Sequence, residues 1–181
     1  MRIIAGTAKK RLLKVPSGWT GRPTADRVKE SLFNILGDII IGCSILDLFA
    51  GTGNIGIEAL SRGADRAVFV EKDSRAADAI IKNLKATGFE NISKVIMKNV
   101  YRALAELRDK GDSFDIVFLD PPYGMGFEVP VMMSLAELQV VSGGGLIIAE
   151  SSKREVLPPD VERFKLFRQE RYGDTMLSFY K

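Results

Sequence analysis

From residue 44 onward the chain alternates between short apolar runs and longer segments whose apolar residues recur at helical spacing. The runs SILDLF (44–49), RAVFVE (66–71), ISKVIM (92–97), FDIVFLD (114–120) and GLIIAE (145–150) read as strands. Between them NIGIEALSRG (54–63), SRAADAIIKNLKATG (74–88), VYRALAELRDKG (100–111) and a stretch near 128–140 read as helices, with Ser74 as the N-cap of the second. Apolar strands separated by helices bury both their faces only in a parallel sheet covered on two sides. The expectation is an α/β, doubly wound domain whose last two strands, around RYGD (171–174), form a hairpin at the sheet edge. In such sheets the ligand lies beyond the carboxyl ends of the strands.

Residues 1–37 precede this core (38–181) as an extension of the same single domain, 1–181. Two short strands, near 2–5 and 11–15, flank a polar loop with Gly6. RPTADRVKESLFNILG (22–37) follows as a helix with Thr24 as N-cap, Val28, Leu32, Ile35 and Leu36 on one face, and Gly37 at its end. Charge is uneven: residues 1–29 sum to +7 while the whole chain is +3, which leaves −4 on the rest. Such a basic end is either a solvated hairpin or the docking side for an anionic partner.

No apolar run reaches the roughly 20 residues that span a bilayer, and MRIIAGTAKK lacks the core of a signal peptide. The single cysteine, Cys43, forms no intrachain disulfide and suits a reducing cytoplasm. Histidine is absent. Zinc sites, Ser-His-Asp triads and imidazole bases are thereby excluded, and no metal is expected. Chemistry must rest on carboxylates, backbone groups, Asn, Tyr or a cofactor.

ILDLFAGTGNIG (45–56) carries Gly51, Gly53 and Gly56 in G-x-G-x-x-G spacing between a strand ending at Phe49 and a helix. That turn lets a ligand approach the backbone at the helix start. Glu71 ends the second strand, where a carboxylate accepts from both ribose hydroxyls of an adenosine ligand. Asp47, just before the turn, is unwelcome beside a pyrophosphate. It suits a cationic group such as the amino group of S-adenosylmethionine, or else only binds loop amides. Asn99, after the third strand, either accepts from an adenine amine or caps the helix that follows.

Asp120-Pro121-Pro122-Tyr123 closes the fourth strand. Proline lacks an N–H but keeps its carbonyl, so Asp120 and Pro121 offer two acceptors on a stiff frame. An exocyclic base amine is the two-donor group that matches them. Held non-planar, its lone pair localises for attack on a methyl sulfonium, with Tyr123 stacking on the base. Such catalysis works by orientation and electrostatics, without a metal or covalent intermediate.

LDLFAGTGNIG, Glu71 and DPPY together resemble class I S-adenosylmethionine-dependent amino-methyltransferases. RIIAGTAKKRLL, RPTADRVKESLFNIL and RYGDTMLSFYK narrow the resemblance to the bacterial RsmD family, over essentially the whole chain. That family methylates N2 of one guanine in 16S ribosomal RNA. The resemblance implies a Rossmann-like, seven-stranded sheet with an antiparallel last strand behind a small hairpin and helix. It places Asp120, Pro121, Pro122 and Tyr123 at the target guanine. Asp47, Phe49, Gly51, Gly53, Glu71, Lys72, Asn99 and Val100 line the cofactor, and Arg22, Pro23 and Thr24 lie near its methionine end or the base. Relatives often carry an acid at Asn99. Lys9, Lys10, Arg11, Lys14 and Arg22 become candidate RNA contacts. A partly or fully assembled small ribosomal subunit is the expected partner of a monomer. The rivals are an adenine-N6 or cytosine-N4 methyltransferase, a protein methyltransferase, an NAD-binding oxidoreductase that leaves DPPY unexplained, and a non-catalytic RNA-binding module.

Overall fold

The computed structural model, which describes residues 1–16, 18 and 24–181, begins its regular elements with α1 (Asp26–Leu36). Strands and helices then alternate: β1 (Ser44–Leu48), α2 (Asn54–Ser61), β2 (Arg66–Val70), α3 (Ser74–Thr87), β3 (Ser93–Ile96) and α4 (Val100–Asp109). β4 (Phe114–Leu119), α5 (Glu128–Glu137) and β5 (Val141–Ser152) continue the pattern. β6 (Asp160–Val161), β7 (Phe164–Tyr172) and β8 (Thr175–Tyr180) complete the sheet, in the order β3-β2-β1-β4-β5-β8-β7-β6. The first five strands are parallel, and β8 runs antiparallel to both β5 and β7. This is the Rossmann-like methyltransferase architecture with its antiparallel last strand. The sheet exceeds the expected seven strands. The two-residue β6 on β7 makes an eighth, and β8 lies inside the sheet rather than at its edge.

Strand alternation feeds two cores. Ile45, Phe69, Ile116, Phe118 and Ile148 face one side, with α1, α2 and α3. Leu46, Val68, Val117, Leu119 and Ile147 face the other, with α4 and α5. By the same parity Asp47, Asp120 and Glu150 continue the first face.

Several local expectations are corrected. The strands near 2–5 and 11–15 reduce to one bridge, Arg2 with Leu12. Backbone bonds still cross between the two segments, from Ile3 N–H to the Arg11 carbonyl (2.9 Å), Lys10 N–H to the Ile3 carbonyl (2.9 Å) and Leu13 N–H to the Met1 carbonyl (3.1 Å). Other amides there bond to side chains of α2: Ile4 and Ala5 N–H donate to Glu58 (2.8 and 3.0 Å), and Ala8 N–H donates to Ser61 Oγ (3.0 Å). Lys14 N–H donates to Asn83 Oδ1 at 2.7 Å. Thr24 does not cap α1. Ala25 holds that position without a side-chain bond, and the Thr24 hydroxyl points elsewhere. Asp73, not Ser74, caps α3, accepting from Arg75 and Ala76 N–H. A carboxylate is the stronger acceptor for helix-end amides. β1 stops at Leu48 because Phe49 turns to φ 58°, and β2 stops at Val70, one residue before Glu71.

Candidate active site

A cleft of about 550 Å³ opens at the carboxyl ends of β1, β2 and β4. Its size lies in the range of small-molecule sites. Of the residues expected at cofactor and base, Thr24, Asp47, Phe49, Gly51, Glu71, Lys72, Asn99, Val100 and Asp120 to Tyr123 all line it. Gly53 does not. Its φ of 81° and the nearness of Ile57, Ile80 and Phe69 make it a packing glycine beneath the turn. Arg22 and Pro23 fall outside the described residues.

At one end of the cleft, Glu71 holds the glycine turn in shape. Its Oε2 accepts from Gly51 N–H at 2.9 Å and its Oε1 from Asp73 N–H at 2.8 Å. Each oxygen retains a second lone pair for a diol. Asp47 is buried and accepts from Gly56 N–H at 2.9 Å. Burial raises its carboxyl to about 7, against the pull of that amide and with a further push from Glu71. Phe49, strained at positive φ, meets Phe127 with ring centroids 5.5 Å apart. The Asn99 Oδ1 caps α4 by accepting from Arg102 N–H at 3.1 Å, so the capping alternative describes its amide.

At the other end stands Asp120-Pro121-Pro122-Tyr123. Burial pushes the Asp120 carboxyl well above the usual range, and the charge of Glu150 adds to the push. The Tyr123 hydroxyl donates to Glu150 Oε1 at 3.0 Å and lies 3.3 Å from Thr175 Oγ1. Burial, then the Glu150 charge, raises the Tyr123 phenol, which therefore stays neutral. The Thr24 hydroxyl lies 3.0 Å from Glu150 Oε2 and 3.5 Å from Asp120 Oδ2. One cleft thus joins a nucleoside-type turn to a carboxylate–proline–tyrosine wall.

The family described as conserved hypothetical protein 95 matches residues 1–181. The "Ribosomal RNA small subunit methyltransferase D" of Escherichia coli (strain K12) is 36% identical over 100% of this chain and 89% of its own length. The chain belongs to the RsmD family. YlbH of Bacillus subtilis (strain 168) is 39% identical, over 100% of this chain and 98% of its own. The solved structure of Escherichia coli yhhF superposes with a TM-score of 0.87 at 37% identity, covering 99% of this chain and 96% of that one.

Two features of this RsmD-family site escape a reading of motifs. Glu150, within β5, lies beside Asp120, and its only sequence signal is shared parity with Ile148. Asn54 ties the site to the extension. Its Nδ2 donates to the Thr24 carbonyl at 3.4 Å, and its Oδ1 accepts from buried Lys29 at 2.7 Å. The basic candidates Lys9, Lys10, Arg11 and Lys14 are all exposed. They lie together against α2 and α3, where an Arg11 N–H donates to the Ala86 carbonyl. From there Asn83 Nδ2 bridges the carbonyls of Lys14 and of Thr52 in the glycine turn, each at 3.1 Å.

Proposed function

We propose that this protein transfers a methyl group from S-adenosylmethionine to the exocyclic N2 amine of a guanine in small-subunit ribosomal RNA. The observation that carries the reading is the continuity of one cleft from the Gly51–Glu71 turn to the DPPY wall. The residues fit the cofactor. Glu71 offers acceptors for a ribose diol, Phe49 and Val100 apolar walls, and Asp47 a carboxylate for an amino group. A second negative charge beside Asp47 would be repelled, which disfavours a dinucleotide. The cofactor supplies an electrophilic methyl on a sulfonium.

The chain's own groups do the rest. Asp120 and the Pro121 carbonyl accept the two N–H bonds of the amine and aim its lone pair at the methyl. Tyr123 gives the base an aromatic face, and the apolar walls exclude water. Lys9, Lys10, Arg11 and Lys14 hold phosphates of the substrate without reading its sequence. A small domain with so few contacts needs an RNA already folded on its proteins, so a partly assembled subunit is the favoured substrate.

The test is transfer of labelled methyl into small subunits that lack the modification, with the product nucleoside identified. N2-methylguanosine, reduced about 100-fold or more in Asp120→Ala while cofactor binding persists, is the expected outcome. Methylated adenine or cytosine overturns the substrate. Calorimetric binding of NAD in preference to S-adenosylmethionine overturns the reaction.

A further inference from the structure

Leu119 on β4 and Ala149 on β5 are register partners. Asp120 and Glu150 follow them by one residue, so two carboxylates lie side by side, one just past the end of β4 and one within β5, about 5 Å apart at the backbone. Two hydroxyls lie against the pair. Thr24 Oγ1 is 3.0 Å from Glu150 Oε2 and 3.5 Å from Asp120 Oδ2, and Tyr123 donates to Glu150 Oε1 at 3.0 Å. A hydroxyl has one proton to give. The shorter contact takes that of Thr24, so Glu150 receives both hydroxyl protons and is the member fitted to carry the charge. Asp120 is the member fitted to take up a proton.

We propose that Glu150 is a positioning residue of the transfer: it fixes Tyr123 and Thr24 around the target base and keeps the neighbouring Asp120 the proton acceptor of the pair. The inference rests on the amino-methyl transfer proposed above. In that reaction the amine nitrogen bonds to the methyl carbon while the carbon–sulfur bond breaks and its electron pair stays on sulfur. The nitrogen, then positively charged, releases one proton to an Asp120 oxygen, which passes it to water. Other groups act on Asp120 in the same sense. Asp47 on β1 and Glu128 on α5 add to the push of burial and of Glu150, while the Thr24 hydrogen bond opposes it.

Glu150→Gln keeps the size of the side chain and one acceptor oxygen but removes the charge. The whole protein, labelled with ¹³C at aspartate carboxyls, is titrated by NMR without cofactor, wild type against variant. The Asp120 midpoint falls by about one pH unit or more in the variant. In the transfer assay the acid limb of kcat moves the same way, kcat drops about tenfold or more, and KM for S-adenosylmethionine holds. Glu150→Asp, which restores the charge, returns part of the midpoint shift.

An unmoved Asp120 midpoint overturns the inference whether or not the protein methylates RNA. A moved midpoint with unchanged kcat also overturns it. A moved midpoint in a protein whose wild type transfers no methyl leaves the carboxylate pair standing and sinks the proposed reaction alone. If Glu150→Gln does not fold, Tyr123→Phe serves in its place. It removes a donor from Glu150, shifts the first proton onto it, and lowers the Asp120 midpoint.

Discussion

Asp47 is held between two demands, since burial favours its neutral form and the Gly56 amide favours its charge. With the carboxyl at about 7, a cation bound beside it selects the ionised form. The sign follows: as pH falls through about 7 the site takes up a proton that binding must expel, so cofactor affinity weakens toward acid. Calorimetry in buffers of differing ionisation enthalpy should show protons released on binding. Asp47→Asn should bind more weakly and lose the pH dependence. Equal affinity on both sides of that pH in the wild type would show that Asp47 serves only the loop. Asp47, Glu71 and the DPPY residues are legible in the sequence because each sits within a contiguous motif at a strand end. Thr24 is placed at the site by the family resemblance of RPTADRVKESLFNIL and not by a local pattern, and Glu150 is not legible at all. Glu150 acquires meaning from the β4–β5 register, which is not a local relation.

Elements are legible where the sequence signal is periodic, and much less so where backbone groups choose among competing partners. The alternating strands and helices from β1 to β5 follow from apolar spacing alone. The extension does not, because only a few backbone bonds join its two segments, and the amides of Ile4, Ala5 and Ala8 are held by the carboxylate of Glu58 and the hydroxyl of Ser61, both on α2. The same helix shows why the third glycine of the fingerprint is needed. A Cβ on Gly56 would lie 2.3 Å from Cε1 and 2.7 Å from Cζ of Phe69, a fully buried ring on β2. Gly56→Ala must therefore push α2 off the sheet or tilt the ring. Overpacking of this kind costs about 1–3 kcal/mol. Urea unfolding should show that loss with an unchanged m-value, and cofactor affinity should fall with it because α2 carries the turn. A variant as stable as wild type would mean that α2 shifts freely, contrary to its tight packing on Phe69.

At the scale of the whole molecule, one buried ion pair joins the basic extension to α2. Lys29 on α1 is fully buried 3.1 Å from Glu58, and its ammonium also donates to the Arg2 carbonyl and to Asn54. Lys29→Ala strands Glu58 among the donors that remain to it, Arg62 and two backbone amides. The loss should be about 3 kcal/mol, the low end for a broken buried pair, measured by thermal or urea unfolding. This anchoring gives the exposed charges of the extension a fixed place relative to the cleft. Lys14 is one Asn83 amide away from the glycine turn, so an RNA lying on Lys9, Lys10, Arg11 and Lys14 borders the cofactor end of the site. If these four neutralise phosphates, replacing them together with alanine reduces the slope of log K against log salt. The reduction is about 0.7–0.9 for each phosphate no longer neutralised, the lower figure applying to single strands. Binding then weakens most at low salt, where released counterions matter most, while kcat at saturating RNA changes little. A slope equal to the wild type's would place the RNA on another face and leave the net +7 of residues 1–29 to some other role.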